Sequence, residues 1–229
     1  MSINEGDMKR IQSLLKSWKF WIIVCVVLGG SAVAYVVMHK KQSAKKPSTP
    51  TAVQGAVVTE STFTPSEEQP DKKTFAWAGD VDDPKYITLS SIGIGGYVQK
   101  VGIDQVQAIA VPNNIYMAGW YVDSVQPGKP GLSVIDGHVD GVTKNDAIFG
   151  RLKDMKIGDE IQVELGSGVV KKYHVISTQT VATSEAVNYL FSQQPNVKSQ
   201  LNLITCTGTF DKTAKSYDKR VIVSAALVE

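Results

Sequence analysis

Apolar positions follow two different rules along this chain. From Phe20 to Met38 they run through nineteen residues without a charge, about the length of helix that crosses a bilayer's hydrocarbon core. From about Phe75 onward they come instead as short apolar and polar alternations separated by Gly, Pro, Asn and Asp, the pattern of half-buried strands. Roughly eight strands are predicted, from the segments 86–89, 96–101, 109–110, 117–120, 132–136, 160–165, 169–180, 201–206 and 221–227, with one or two merging. Gly166-Ser167-Gly168 fits a hairpin turn, since glycine reaches the positive φ such loops require. A helical turn is expected over 148–152, and a helix over 185–194 after a Thr183-Ser184 cap. That many strands in one domain predict a closed barrel, which leaves no exposed sheet edge. The fold class is therefore mainly β, an eight-stranded β-barrel with short helices, preceded by one N-terminal transmembrane helix.

Four regions follow from this reading: a cytoplasmic segment 1–19, a transmembrane helix 20–38, a flexible linker 39–72 and a β-barrel domain 73–229. Trp18, Trp21 and Tyr35 stand near the ends of the apolar span, where amphipathic rings favour the headgroup level. Gly29-Gly30-Ser31-Ala32 offers only a faint cleavage site, so the span is read as a retained anchor and not as a cleaved signal. Lys9, Arg10, Lys16 and Lys19 precede it, and Lys40, Lys41, Lys45 and Lys46 follow it, so the positive-inside rule does not choose an orientation. The bulk of the chain after the span and the chemistry below place the C-terminal domain outside a single-pass cell membrane. Pro47, Pro50, Pro65 and Pro70 punctuate a stretch rich in Lys, Ser, Thr, Gln and Glu, too polar to offset its own chain entropy and able to reach about 3 Å per extended residue.

Composition narrows the function classes. Hydrophobic residues make up 43% of the chain and charged residues 20%, enough to build a core. The net charge of +2 arises before residue 73: residues 1–72 hold nine basic and six acidic side chains, and 73–229 hold fifteen and sixteen. A nearly neutral domain of this kind is not expected to bind nucleic acid.

The candidate chemistry centres on Cys206. The other cysteine, Cys25, lies within the apolar span, beyond the few ångströms a disulfide allows, so Cys206 is a free thiol. It closes the apolar run 201–204 and precedes Thr207-Gly208-Thr209, which predicts a thiol at the C-terminal end of a strand. His138 follows the strand 132–136, and Arg220 opens the last strand, so three rim positions converge on one cleft. A thiol with an ordinary pKa of about 8.5 is only slightly ionised at neutral pH and needs a cation or base beside it. An imidazole with a pKa of about 6.5 can accept that proton and return it to a departing amine. A guanidinium, always charged, presents five fixed donors to a carbonyl or oxyanion. An inert core cysteine in a tethered binding module is the competing reading, and pH-dependent alkylation separates the two. His174 is expected to be structural, and Arg151 to form a surface salt bridge. The acidic residues Asp80, Asp82 and Asp83 are read as solvated loop charge, so no metal and no cofactor is expected.

Gly137-His138-Val139-Asp140, then Leu203-Ile204-Thr205-Cys206, then Arg220, in that order, resembles the sortases, membrane-anchored cysteine transpeptidases of Gram-positive-type bacteria. The resemblance spans residues 84–229 and includes 91–94, Val111-Pro112-Asn113, Gly119-Trp120-Tyr121, Phe149-Gly150-Arg151-Leu152, Gly158-Asp159-Glu160-Ile161 and 220–225; it looks most like the class F-type branch. It implies a barrel in which Cys206 attacks the Thr–Gly bond of a Leu-Pro-X-Thr-Gly-type sorting signal on surface proteins. A thioacyl enzyme forms, and an amine on a peptidoglycan precursor resolves it. The resemblance also implies that Thr205 helps orient substrate. Asp136 stands where family members often carry a small residue, and Asp83-Pro84-Lys85 lacks the ring of a plugging lid. A cysteine hydrolase would use the same three side chains with water as acceptor. Papain-like enzymes order cysteine before histidine, and the Ser-His-Gly-Cys run of the L,D-transpeptidases is missing.

Overall fold

A computed structural model describes residues 64–104 and 108–228. The segments 1–19 and 20–38, and residues 39–63 of the expected linker, lie outside the described residues. Among the described residues no helix is long and apolar enough to cross a membrane.

Eight strands form, β1 (Pro84–Leu89), β2 (Ile94–Val101), β3 (Ala118–Tyr121), β4 (Gly131–Gly137), β5 (Glu160–Leu165), β6 (Val170–Ala182), β7 (Ser199–Asp211) and β8 (Ser216–Leu227). Their order is β1-β2-β3-β4-β7-β8-β6-β5, and β5 pairs with β1 to close a barrel. Only β2/β3 and β4/β7 are parallel. The expected strand at 109–110 is reduced to one bridge between Ile103 and Ile109. Gly168, at φ 85°, turns the β5–β6 hairpin as expected.

Period-two alternation gives each strand an inner and an outer face. Ile87, Leu89, Val98, Ile135, Ile161, Val163, Tyr173, Leu201, Leu203, Val221 and Val223 fill the interior, joined by Phe149 and Leu152 from the β4–β5 connection. Each such side chain contributes about 1.5–3 kcal/mol by leaving water. Gly137, the last residue of β4, admits Phe149: a Cβ there would lie 2.6 Å from the Phe149 ring and 2.7 Å from Ile148. A second, smaller apolar cluster lies on the outer face, where Val134, Ile204 and Ile222 meet Ala186 and Leu190.

The last two residues belong to α1 (Ala186–Leu190), which is shorter than the helix expected over 185–194. Thr183 does not cap it. Its hydroxyl donates to Tyr217 O at 2.8 Å, and residues 183–185 form a 3-10 turn. Pro195 disfavours helix at Gln194, whose N–H binds Gln200 Oε1 at 2.8 Å. Two outward polar residues of β7 hold this connection down: Gln200 donates to Ser192 O at 2.9 Å and Asn202 to Leu190 O at 2.7 Å. The expected turn over 148–152 is present and passes into a 3-10 turn at Leu152–Asp154.

Asp83 departs from expectation. It is 3% exposed and bonded to Lys100 Nζ at 2.6 Å and Gln126 Nε2 at 3.1 Å, so it is a buried, paired carboxylate and not solvated loop charge. Residues 64–72, the end of the stretch read as linker, carry bonds to the domain. Ser66 bridges Asn114, and the Glu67 carboxylate accepts from the Thr143 N–H at 2.9 Å.

Candidate active site

The site is built on the outer face of β4, β7 and β8. In β7, Leu201 and Leu203 point into the barrel, so Ile204 and Cys206 point out; in β8, Val221 and Val223 point in, so Arg220 and Ile222 point out. Cys206 and Arg220 are direct partners in the antiparallel β7/β8 register. On the other side of β7, the parallel register pairs Asp136 with Ile204; carried two residues on, it brings His138 level with Cys206. Strands about 4.8 Å apart place three such side chains within mutual reach. Cys206, His138 and Arg220 are each half-buried.

Cys206 does not end its strand, contrary to expectation. β7 continues to Asp211, with the pairing shifted between Thr207 and Phe210. The opening comes from its neighbour: β4 stops at Gly137, so beyond Ile204 one edge of β7 loses its partner. Arg220 likewise stands inside β8, which begins at Ser216.

His138 donates Nε2–H to Pro112 O at 2.8 Å, because a carbonyl can only accept. That bond fixes the ring and leaves Nδ1 as the nitrogen able to take or return a proton. Arg220 gives Nη1 to Thr183 Oγ1, Tyr217 O and Lys219 O, each at 2.9 Å, and Nη2 to Ser216 Oγ at 3.3 Å. Its Nε has no partner among the described residues. Thr205 is 4% exposed, and its hydroxyl donates to Gly137 O at 2.8 Å. Thr205, which the resemblance expects to help orient substrate, thus uses its hydroxyl to tie the strand of the thiol to the residue before the imidazole.

The thiol is not electrostatically poised by its cation alone. Burial pushes the Cys206 thiol up, Arg220 pulls it down, and Asp140 and Asp136 push it up again, with a net rise above its ordinary value. Asp136 is itself 6% exposed, lies against Gly119 of β3, and has an Oδ1 without a hydrogen-bond partner. Burial drives its carboxyl well above the usual carboxylate range. On the other side of the cleft Tyr217 donates its hydroxyl to Asp140 Oδ2. That bond, ahead of burial, pushes the Tyr217 phenol up to about 12.

Three sequence-predicted residues therefore share one face. Pro112, Asp136, Asp140 and Tyr217 complete the setting; of these the sequence had marked Asp136 as an unusual residue before the Gly-His pair and had included Pro112 and Asp140 in matching motifs without a role, while Tyr217 went unmarked. His174 is exposed on β6, opposite Glu160 and Ala226. Arg151 bonds Ile92 O at 3.0 Å and pairs with Asp154 at 3.5 Å, a surface role as expected.

No curated protein sequence matches the chain. Among solved structures, it is similar to a lid mutant of sortase A from Corynebacterium diphtheriae at 26% identity, covering 64% of this chain and 70% of that one, with a TM-score of 0.48. It is also similar to sortase C-1 from Actinomyces oris at 24% identity (66% and 76% covered, TM-score 0.47). A third similar structure is a Clostridium perfringens sortase D5 transpeptidase at 22% identity (64% and 80% covered, TM-score 0.47). The sortase domain model matches residues 87–228, more than half of the sequence and all eight strands apart from the first residues of β1. On that match the chain belongs to the sortase family.

Proposed function

We propose that this chain is a membrane-anchored cysteine transpeptidase that cleaves a Leu-Pro-X-Thr-Gly-type sorting signal between Thr and Gly and transfers the protein to a cell-wall amine. The motif pattern supports placing it in the class F-type branch. The charge-free span of residues 20–38 supports a single-pass anchor with the catalytic domain outside the cell. The observation that carries the reading is the shared outer face of Cys206, Arg220 and His138, held by the β7/β8 register and the Thr205–Gly137 bond.

The chemistry runs in two halves. The Cys206 thiol gives its proton to His138 Nδ1, and the thiolate attacks the threonine carbonyl carbon. Negative charge grows on the carbonyl oxygen, where the fixed charge of Arg220 is available to it; in other acyl-transfer enzymes removing one such donor costs about 10²–10³ in kcat. The C–N bond to glycine breaks as His138 protonates the leaving amine, and a thioacyl enzyme remains. An incoming amine then attacks the thioester, and the C–S bond breaks.

Mass spectrometry of the protein incubated with a Leu-Pro-X-Thr-Gly peptide should find the acyl group on Cys206, and Cys206→Ala should abolish cleavage while the fold survives. Substantial residual turnover by Cys206→Ala would refute the nucleophile. Product made only by water, even with amine in excess, would replace the transferase with a hydrolase.

A further inference from the structure

Asp140 is an electrostatic misfit in a thiol enzyme. It lies two residues past His138 on the segment leaving β4, half-buried, and it opposes ionisation of Cys206. It has no cationic partner: the five ion pairs among the described residues join other carboxylates. The nearby guanidinium of Arg220 spends its Nη atoms on Thr183, Tyr217, Lys219 and Ser216. Asp140 is nevertheless held in place. Tyr217 reaches across from β8 to donate to its Oδ2, and Phe210 stacks edge-on against the Tyr217 ring at 5.2 Å. A carboxylate that hinders the first half-reaction, and is still oriented by a tyrosine, has an explanation if a cation visits it in the second.

We propose that Asp140, oriented by Tyr217, is the binding group for a cationic amine acceptor and sets the enzyme's preference for an ammonium-bearing second substrate over water or neutral nucleophiles. This rests on the transpeptidase reading above and deepens it. The carboxylate draws the ammonium to the thioester, since a charge-assisted hydrogen bond is about twice as strong as a neutral one. The ammonium sheds one proton to solvent, and the neutral amine attacks the thioester carbon, forming C–N and breaking C–S. The proton displaced from its nitrogen passes through His138 to the departing sulfur, which regenerates thiol and imidazole. Asp140 is placed for this role and Asp136 is not: the Asp136 carboxyl is buried against Gly119, where burial disfavours its charge, whereas the Asp140 carboxyl is half-exposed.

The test compares two acceptors at neutral pH with the full chain and saturating signal peptide: Nα-acetyl-lysine amide, whose free side-chain amine is cationic because its pKa is about 10.4, and hydroxylamine, which is uncharged. Asp140→Asn keeps the acceptor for Tyr217 and removes the charge. It should lower the ratio of kcat/KM for the lysine acceptor to that for hydroxylamine by about 10- to 100-fold, and divert product toward hydrolysis. In the wild type, added salt should erode the lysine preference selectively. Equal losses for both acceptors, or no loss for either, would overturn the proposal. If Asp140→Asn does not fold, a wild-type lysine rate that ignores salt overturns it as well. The two readings fail differently: a wild type that forms no thioacyl enzyme sinks the transpeptidase, whereas normal acylation without charge discrimination sinks only the role of Asp140.

Discussion

Thr205 donates its hydroxyl to the carbonyl of Gly137 at 2.8 Å, so the residue before the thiol is tied to the residue before the imidazole. The bond matters because β4 ends at Gly137, and beyond it no ladder bond holds the His138 segment to β7. The ring has a separate anchor at Pro112 O. Together the two bonds fix the imidazole in position and in orientation.

Replacing Thr205 by valine keeps the shape and takes away the donor that its hydroxyl gives to Gly137 O in a buried place. Stability should fall by about 1–3 kcal/mol, measured by urea unfolding. As a positioning residue Thr205 should affect kcat while the signal-peptide KM stays near its original value, and Thr205→Ser should restore both. A rise in KM alone would instead make Thr205 a substrate contact, the role implied by family resemblance.

Cys206, His138 and Arg220 were legible because each residue type carries chemistry that few others can, and because each stands near a break in an apolar alternation. The barrel was legible from that alternation and from the turn residues between strands. The cause of the opening was not: the sequence suggested that β7 ends at the thiol, whereas β7 runs on to Asp211 and β4 is the strand that stops. Relative strand length depends on pairing between segments some seventy residues apart, which local pattern does not encode. The role of Pro112 was hidden for another reason, since it acts through a backbone carbonyl that every residue possesses. Asp140 and Tyr217 gain meaning only from their contact. The helix over 185–194 was overestimated because its periodicity gave no hint that Gln200 and Asn202 would claim backbone groups of Leu190, Ser192 and Gln194.

Asp136 should make folding stability fall as pH rises. Its folded pKa is raised by burial, so its contribution is fully present below the ordinary carboxylate value of about 3.9 and is lost as pH climbs through the raised value. Asp136→Asn cannot ionise. Relative to it, the wild type should lose up to about 1.4 kcal/mol per pH unit within that window, the limit for one proton. Urea unfolding of both proteins across the acidic to neutral range measures the difference, and parallel profiles would mean that Asp136 is ionised in the folded protein.

The thiol's own titration separates the charges around it. Burial holds Cys206 above its ordinary pKa while Arg220 works against that rise, so the alkylation rate of the wild type should climb late, on the alkaline side of a free thiol. Removing the guanidinium in Arg220→Ala should move the midpoint further up, and removing the opposing carboxylate in Asp140→Asn should move it down. Arg220→Lys distinguishes charge from geometry. An ammonium keeps the sign of the field, so its alkylation midpoint should lie near the wild-type value, but it cannot reproduce the fork that bonds Thr183, Tyr217, Lys219 and Ser216 at once. Peptide cleavage by Arg220→Lys should therefore fall by about 10²–10³ even though the thiol ionises normally. Loss of cleavage in step with an upward alkylation shift would reassign Arg220 to tuning the thiol, and the stabilisation of the carbonyl oxygen would then have to come from another group.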